Sequence, residues 1–173
     1  MRQHNGMRPQ DVVILLKIIS KGKTSWQYKD LAAELYISNA EIMLSLNRSY
    51  SAGLVGGEKK EKVFKAGLME FIEHGLRYVF PVHPGTLVSG MPTAHSHPFM
   101  KSKFSSQLDY VWPHQRGEIQ GLAIEPLYKE TVRAVQLDPI LYKMLALIDV
   151  LRVGRVREWK IAIAELKAMI DEK

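Results

Sequence analysis

Apolar residues recur at helical spacing along most of the chain and lose that rhythm only between residues 81 and 131. Pro9 suits the first turn of a helix, Val12, Val13, Leu15, Leu16 and Ile19 follow at its period, and Gly22 closes the run. A second helix, capped by Thr24 or Ser25, places Leu31, Ala32 and Leu35 on one face and ends around Tyr36. After a turn through Ile37, Ser38-Asn39-Ala40-Glu41 fits a capping box, in which hydroxyl and carboxylate satisfy each other's exposed backbone amides. The third helix that starts there aligns Ile42, Leu46 and Ser49 and stops at Gly53.

Gly56 to Lys62 is a charged, turn-forming stretch between Leu54-Val55 and Val63-Phe64, which predicts a small hairpin. Leu68, Phe71, Ile72, Leu76 and Val79 then predict one amphipathic helix from Lys65 to Phe80, weakened at Gly67 and Gly75 and stopped by Pro81. Residues 81–131 carry six prolines and four histidines; within them Tyr110-Val111-Trp112 and Ile119 to Ile124 flank Gln115-Arg116-Gly117 and predict a second hairpin. Asp138-Pro139 opens a helix through Leu141, Met144, Leu145, Ile148 and Leu151 that closes at Gly154. In the last helix Val156, Trp159, Ile163, Leu166 and Ile170 form a narrow seam, which either folds back on residues 138–153 or serves a second copy.

Composition narrows the function classes. A 46% hydrophobic content over 173 residues supports a packed core. Lys and Arg outnumber Asp and Glu by 24 to 18, and the excess leans to the N-terminal side, 12 against 8 in residues 1–80 and 12 against 10 in residues 81–173. The sequence pI near 9.5 suits a polyanionic partner. The chain has no cysteine, which excludes disulfides and thiolate chemistry. No apolar run approaches the roughly 18 residues that span a bilayer, so a cytoplasmic chain with no membrane contact is expected. Met1 to Gly6 is polar and precedes Met7, as an upstream extension would.

Helix, helix, tight turn, capped helix and basic hairpin form the set that a DNA reader needs, because a capped helix must project from a rigid frame into the major groove. Tyr28-Lys29-Asp30-Leu31-Ala32-Ala33-Glu34-Leu35-Tyr36-Ile37-Ser38-Asn39-Ala40-Glu41-Ile42, followed by Asn47-Arg48-Ser49 and Ala52-Gly53-Leu54-Val55, resembles the MarR-type winged helix-turn-helix family over roughly residues 9–64. The resemblance makes the helix begun at Ser38 the recognition helix. It implies that Asn39, Ala40, Met43, Leu44 and Asn47 face base edges, with Arg48, Lys59, Lys60 and Lys62 on phosphates. Met43 and Leu44 stand where that family usually carries polar or basic side chains, and Tyr36 where it often has glycine.

Other chemistries find less support. His83, His95, His97 and His114 lack a recognised ligand spacing, so no metal is expected, and no cofactor motif is present. No phosphate-cradling glycine loop, Gly-x-Ser-x-Gly elbow or paired carboxylates point to an enzyme. Arg152, Arg155 and Arg157 either bind an anion or complement a helix dipole. The expected architecture is mainly α with a little β. It has a winged helix-turn-helix in residues 1–80, then a Pro/His-rich segment with a short hairpin and a C-terminal helical pair in residues 81–173, used for dimerisation or sensing. The implied function is a DNA-binding transcriptional regulator acting on double-stranded DNA as a homodimer. The alternative is a protein-interaction module, an adaptor or antitoxin-like partner, on the same scaffold.

Overall fold

The computed structural model describes residues 6–173; most of the stretch read as an upstream extension, residues 1–5, lies outside the described residues. The chain is mainly helical, 54% helix and 11% strand, which makes it α+β. Helix α1 (Pro9–Ser20) is buried on every side from Asp11 to Ile19, so it lies between two layers rather than on a surface. Helices α2 (Tyr28–Leu35) and α3 (Asn39–Ser51) pack on one flank of it. The long helix α8 (Pro139–Val153) packs on another.

Two helix starts differ from the expected ones. The N-cap of α2 is Gln27, not Thr24 or Ser25, because the Asp30 carboxylate accepts from the Gln27 amide at 2.8 Å and satisfies the exposed donor there. At α3, the Ser38 hydroxyl accepts from the Glu41 amide at 3.1 Å, but the Glu41 carboxylate turns away to Gln10 and Arg48. Only the hydroxyl half of the expected box is therefore recorded at α3. Between α2 and α3, Tyr36 adopts the left-handed region, φ 56, and the Ile37 amide closes onto the Ala32 carbonyl at 3.0 Å. The Arg133 guanidinium lies 3.7 Å from the centre of the Tyr36 ring and holds it from the far side of the chain.

Strands β1 (Val55–Gly56) and β2 (Lys62–Val63) pair antiparallel, with Val55 opposite Val63. The single helix expected from Lys65 to Phe80 is two: α4 (Lys65–His74) and α5 (Leu76–Val79), divided at Gly75, where a Cβ would stand 3.1 Å from Phe71.

The hairpin expected in residues 110–124 does not form. Strands β4 (Tyr110–Pro113) and β5 (Ile119–Ala123) pair parallel, Tyr110 with Leu122 and Val111 with Ala123. A third strand, β3 (Leu87–Pro92), runs antiparallel to both and closes them into a three-stranded barrel. The closure depends on two glycines meeting. A Cβ on Gly117 would stand 2.1 Å from the Gly90 nitrogen, and one on Gly90 would stand 2.2 Å from the Trp112 carbonyl oxygen. A 3-10 turn (Ala94–Ser96) and the short helix α6 (Pro98–Lys101) follow β3, and α7 (Thr131–Val135) precedes α8.

The barrel is fastened to the helices through Asp149 of α8, which is fully buried. Its carboxylate accepts from Trp112 Nε1 at 2.6 Å, Thr93 Oγ1 at 2.8 Å and Arg152 Nη1 at 2.8 Å. Arg152 also donates to the backbone carbonyls of Phe80 and Glu125, both at 3.0 Å. Burial pushes the Asp149 carboxyl above its ordinary range, while Arg152 and the two neutral donors pull the other way. The C-terminal part of the expected seam, in α9 (Val156–Asp171), is used within the chain: Ile163, Leu166 and Ile170 are buried together with Ala162, and α9 packs against α8 and α4, whereas Val156 at its start is 72% exposed. One apolar core thus runs from α1 through α8 to α9 and to Trp112 of the barrel. No helix among the described residues is long and apolar enough to cross a membrane.

Candidate nucleic-acid interface

Helix α3 has two unlike sides. Ile42, Ser45, Leu46 and Ser49 are buried, with Ile42 and Leu46 at 0% exposure, and anchor the helix to α1 and α2. Ala40, Leu44, Asn47 and Ser51 succeed one another at spacings of four, three and four, which places them on the opposite side in one stripe. Met43 and Tyr50 flank this stripe on the side nearer the β1–β2 tip. Met43, Leu44 and Tyr50 are 47%, 46% and 55% exposed, so the described residues cover this apolar surface only in part.

The tip folds back onto α3. The Lys60 ammonium donates to the Asn47 side-chain oxygen and sits 5.4 Å from the centre of the Tyr50 ring. Lys60 takes a left-handed backbone conformation, φ 55, in reaching this position. Tyr28 pins the tip from below: its hydroxyl donates to the Lys59 carbonyl at 2.9 Å. Glu61 accepts from the Lys59 amide at 2.9 Å and helps set the turn. Lys59 and Lys62 are exposed, as are Glu58 and Glu61. Three lysines against two glutamates leave the tip only mildly basic.

Arg48 does not join the outward face. It donates to Asp11 from Nε at 2.8 Å and from Nη2 at 2.6 Å, and to Glu41 from Nη2 at 3.1 Å. Its side chain is 11% exposed, and the hydrogen bonds to Asp11, above all other causes, raise its pKa further. The family resemblance implied Arg48 on phosphates; the fold turns it inward, because Asp11 on the buried helix α1 needs a counter-charge. Ser38 caps α3, with Asn39 and Ala40 exposed in the first turn. The structure therefore brings together Asn39, Ala40, Met43, Leu44 and Asn47 with Lys60, carries Lys59 and Lys62 beside them, and removes Arg48.

Tyr50 and Ser51 belong to the same surface and went unassigned from the sequence. Their offsets of three and four residues from Asn47 were the available signal.

Two of the candidate histidines, His95 and His97, serve the fold elsewhere. The His95 ring packs 4.3 Å from that of Tyr110, and its Nε2 meets the Leu108 carbonyl at 2.8 Å. His97 accepts from the Phe99 amide through Nδ1 at 3.2 Å and packs edge-on against Tyr142. No group of three His, Cys, Asp or Glu among the described residues is placed to hold a metal ion. Of the three arginines around Gly154, Arg152 is engaged by Asp149, while Arg155 and Arg157 are exposed. Comparison of the chain with protein-family models, curated proteins and solved structures gives no match, so its function rests on the geometry of this surface.

Proposed function

We propose that residues 9–64 act as a winged helix-turn-helix, with α3 entering the major groove of double-stranded DNA and the β1–β2 tip following the phosphate backbone. The chain is then a cytoplasmic transcriptional regulator that works by binding and performs no chemistry. One observation carries this reading: a capped helix, anchored by a fully buried face, presents a partly exposed stripe flanked by a lysine-bearing tip. Asn47 and Asn39 supply amides for base edges, while Lys59, Lys60 and Lys62 supply backbone cations.

Each recognition helix makes few contacts, so two copies on two half-sites multiply them, and residues 81–173 are assigned to that dimer or to sensing an effector. The test is retention of DNA fragments from upstream of its own gene across a salt series, with unrelated DNA as competitor, alongside light scattering for the oligomeric state. Specific retention that weakens as salt rises is expected, and Asn47→Ala is expected to alter sequence preference. Retention no better than the competitor's would refute the regulator reading.

The exposure of Met43 and Leu44 favours a second reading, a protein-interaction module on the same scaffold. There Met43→Lys abolishes a protein complex. On the DNA reading, the same change adds a cation facing the groove and leaves duplex binding in place.

A further inference from the structure

We infer that α3 reads A·T base pairs through their thymine methyl groups, and that G·C pairs find no charged partner on it. This rests on the DNA-binding reading and gives it a substrate class.

The side chains that face outward from α3 carry no formal charge. Guanine is recognised in the major groove mainly by a bidentate Arg or Lys on its O6 and N7. Arg48 is the sole basic residue of α3, and Asp11 and Glu41 hold its guanidinium against the core. Cytosine offers an amine that a carboxylate accepts. Glu41 is the sole acid of α3, and it is engaged by Gln10 and Arg48 on the α1 flank. Both side chains able to select a G·C pair are thus withdrawn into intramolecular contacts.

What remains outward fits the other pair. Ala40, Met43 and Leu44 present apolar surface, the chemistry that meets the C5-methyl of thymine. Asn47 presents the amide that pairs with adenine N6 and N7. In the free protein the Lys60 ammonium donates to the Asn47 oxygen, which is the same hydrogen bond that the adenine N6 amine would make. Lys60 therefore holds the adenine-reading oxygen satisfied in the free protein, and on the DNA reading adenine takes its place while the ammonium turns to the backbone. Charge complementarity supports duplex DNA as the occupant: an uncharged centre is edged by Lys59, Lys60 and Lys62, which outnumber Glu58 and Glu61 on the same tip by one charge.

The test uses the full chain and a randomised duplex library at fixed salt, followed by replacement of each thymine in the selected site by uracil, which removes only the methyl group. An A·T-rich selected core is expected, with about a fourfold loss of affinity for each contacted methyl removed, by the ordinary transfer value of one such group. Met43→Ala and Leu44→Ala should each blunt the response to uracil, and 5-methylcytosine placed in a C·G pair should restore part of it. Lys60→Gln should lower the salt dependence by about one phosphate equivalent and leave the A·T preference standing. A G·C-rich selected core, or uracil duplexes held as tightly as thymine ones, overturns the inference while the DNA reading survives. If no duplex is retained at all, both fail, and the Met43-Leu44 face passes to a protein partner.

Discussion

The guanidinium of Arg48 grips the carboxylate of Asp11 through two hydrogen bonds, joining α3 to a helix that has no solvent-facing side across that stretch. Asp11 is 0% exposed, so removing its partner strands a charge in the core. Arg48→Ala is expected to lower stability by about 3–5 kcal/mol, and Arg48→Lys by less, since it keeps the charge and loses the fork. Denaturant unfolding measures both. Asp11→Asn in the Arg48→Ala background should recover part of the loss. A surface-like cost below about 1 kcal/mol for Arg48→Ala would contradict the buried pairing.

The Asp149 node makes a second stability prediction. Thr93→Val removes one of the three side-chain donors to a fully buried carboxylate and is expected to cost about 1–3 kcal/mol. Near-ultraviolet circular dichroism should report it as well, because Trp112 shares the same acceptor and its packing responds. An unchanged unfolding midpoint would mean that Thr93 contributes nothing to the node.

His97 links stability to acidity. Burial, and secondarily the Lys143 ammonium, lowers its pKa from 6.5 to about 4. The unfolded chain therefore takes up this proton more readily than the fold does. The contribution is complete above pH 6.5 and is lost as the pH falls through 4. Its slope in that window reaches at most about 1.4 kcal/mol per pH unit. His97→Asn keeps a side-chain acceptor for the Phe99 amide and removes the titration, so its unfolding free energy should be flatter over the same window. Parallel pH profiles for the two proteins would rule out this assignment.

Gly117→Ala tests how the barrel closes. The added methyl would meet the Gly90 backbone, which cannot swing aside as a flexible side chain does. A loss of about 1–3 kcal/mol or more is expected from overpacking, seen as a lowered thermal midpoint. Arg116→Ala, on an exposed neighbour, should be nearly silent.

Those glycines also explain what the sequence concealed. Helices α1, α3 and α8 were legible because their apolar residues keep a helical period and because Pro9, Ser38, Gly53 and Asp138-Pro139 mark their ends. Strand β3 was not, since Gly90 and Pro92 interrupt the pattern that marks a strand, and Gly90 is there for the close approach of β4. Without β3, β4 and β5 looked like an ordinary hairpin, although their parallel register depends on a partner that precedes them both.

The outward residues Asn39, Ala40, Met43, Leu44 and Asn47 of α3 came from the family resemblance, and helical spacing would have added Tyr50 and Ser51. The inward turn of Arg48 was not legible, because its role depends on Asp11, 37 residues earlier, being buried in the opposing helix. Periodicity assigns a residue to a side of a helix; a long arginine at the border can still turn either way.

Asp138 does two things at once. It caps α8 by accepting from the Leu141 amide at 2.9 Å, and it holds the Lys17 ammonium of α1 at 2.6 Å. Lys17 in turn reaches Glu34 of α2 at 2.7 Å, so three helices are tied at the end of α8 away from Asp149. The helix is clamped at both ends, to the barrel by one aspartate and to the α1–α2 frame by the other. Mechanically it is a strut rather than a hinge. Held at both ends, α8 sets a fixed spacing between the barrel and the α1–α2 frame on which α3 is packed.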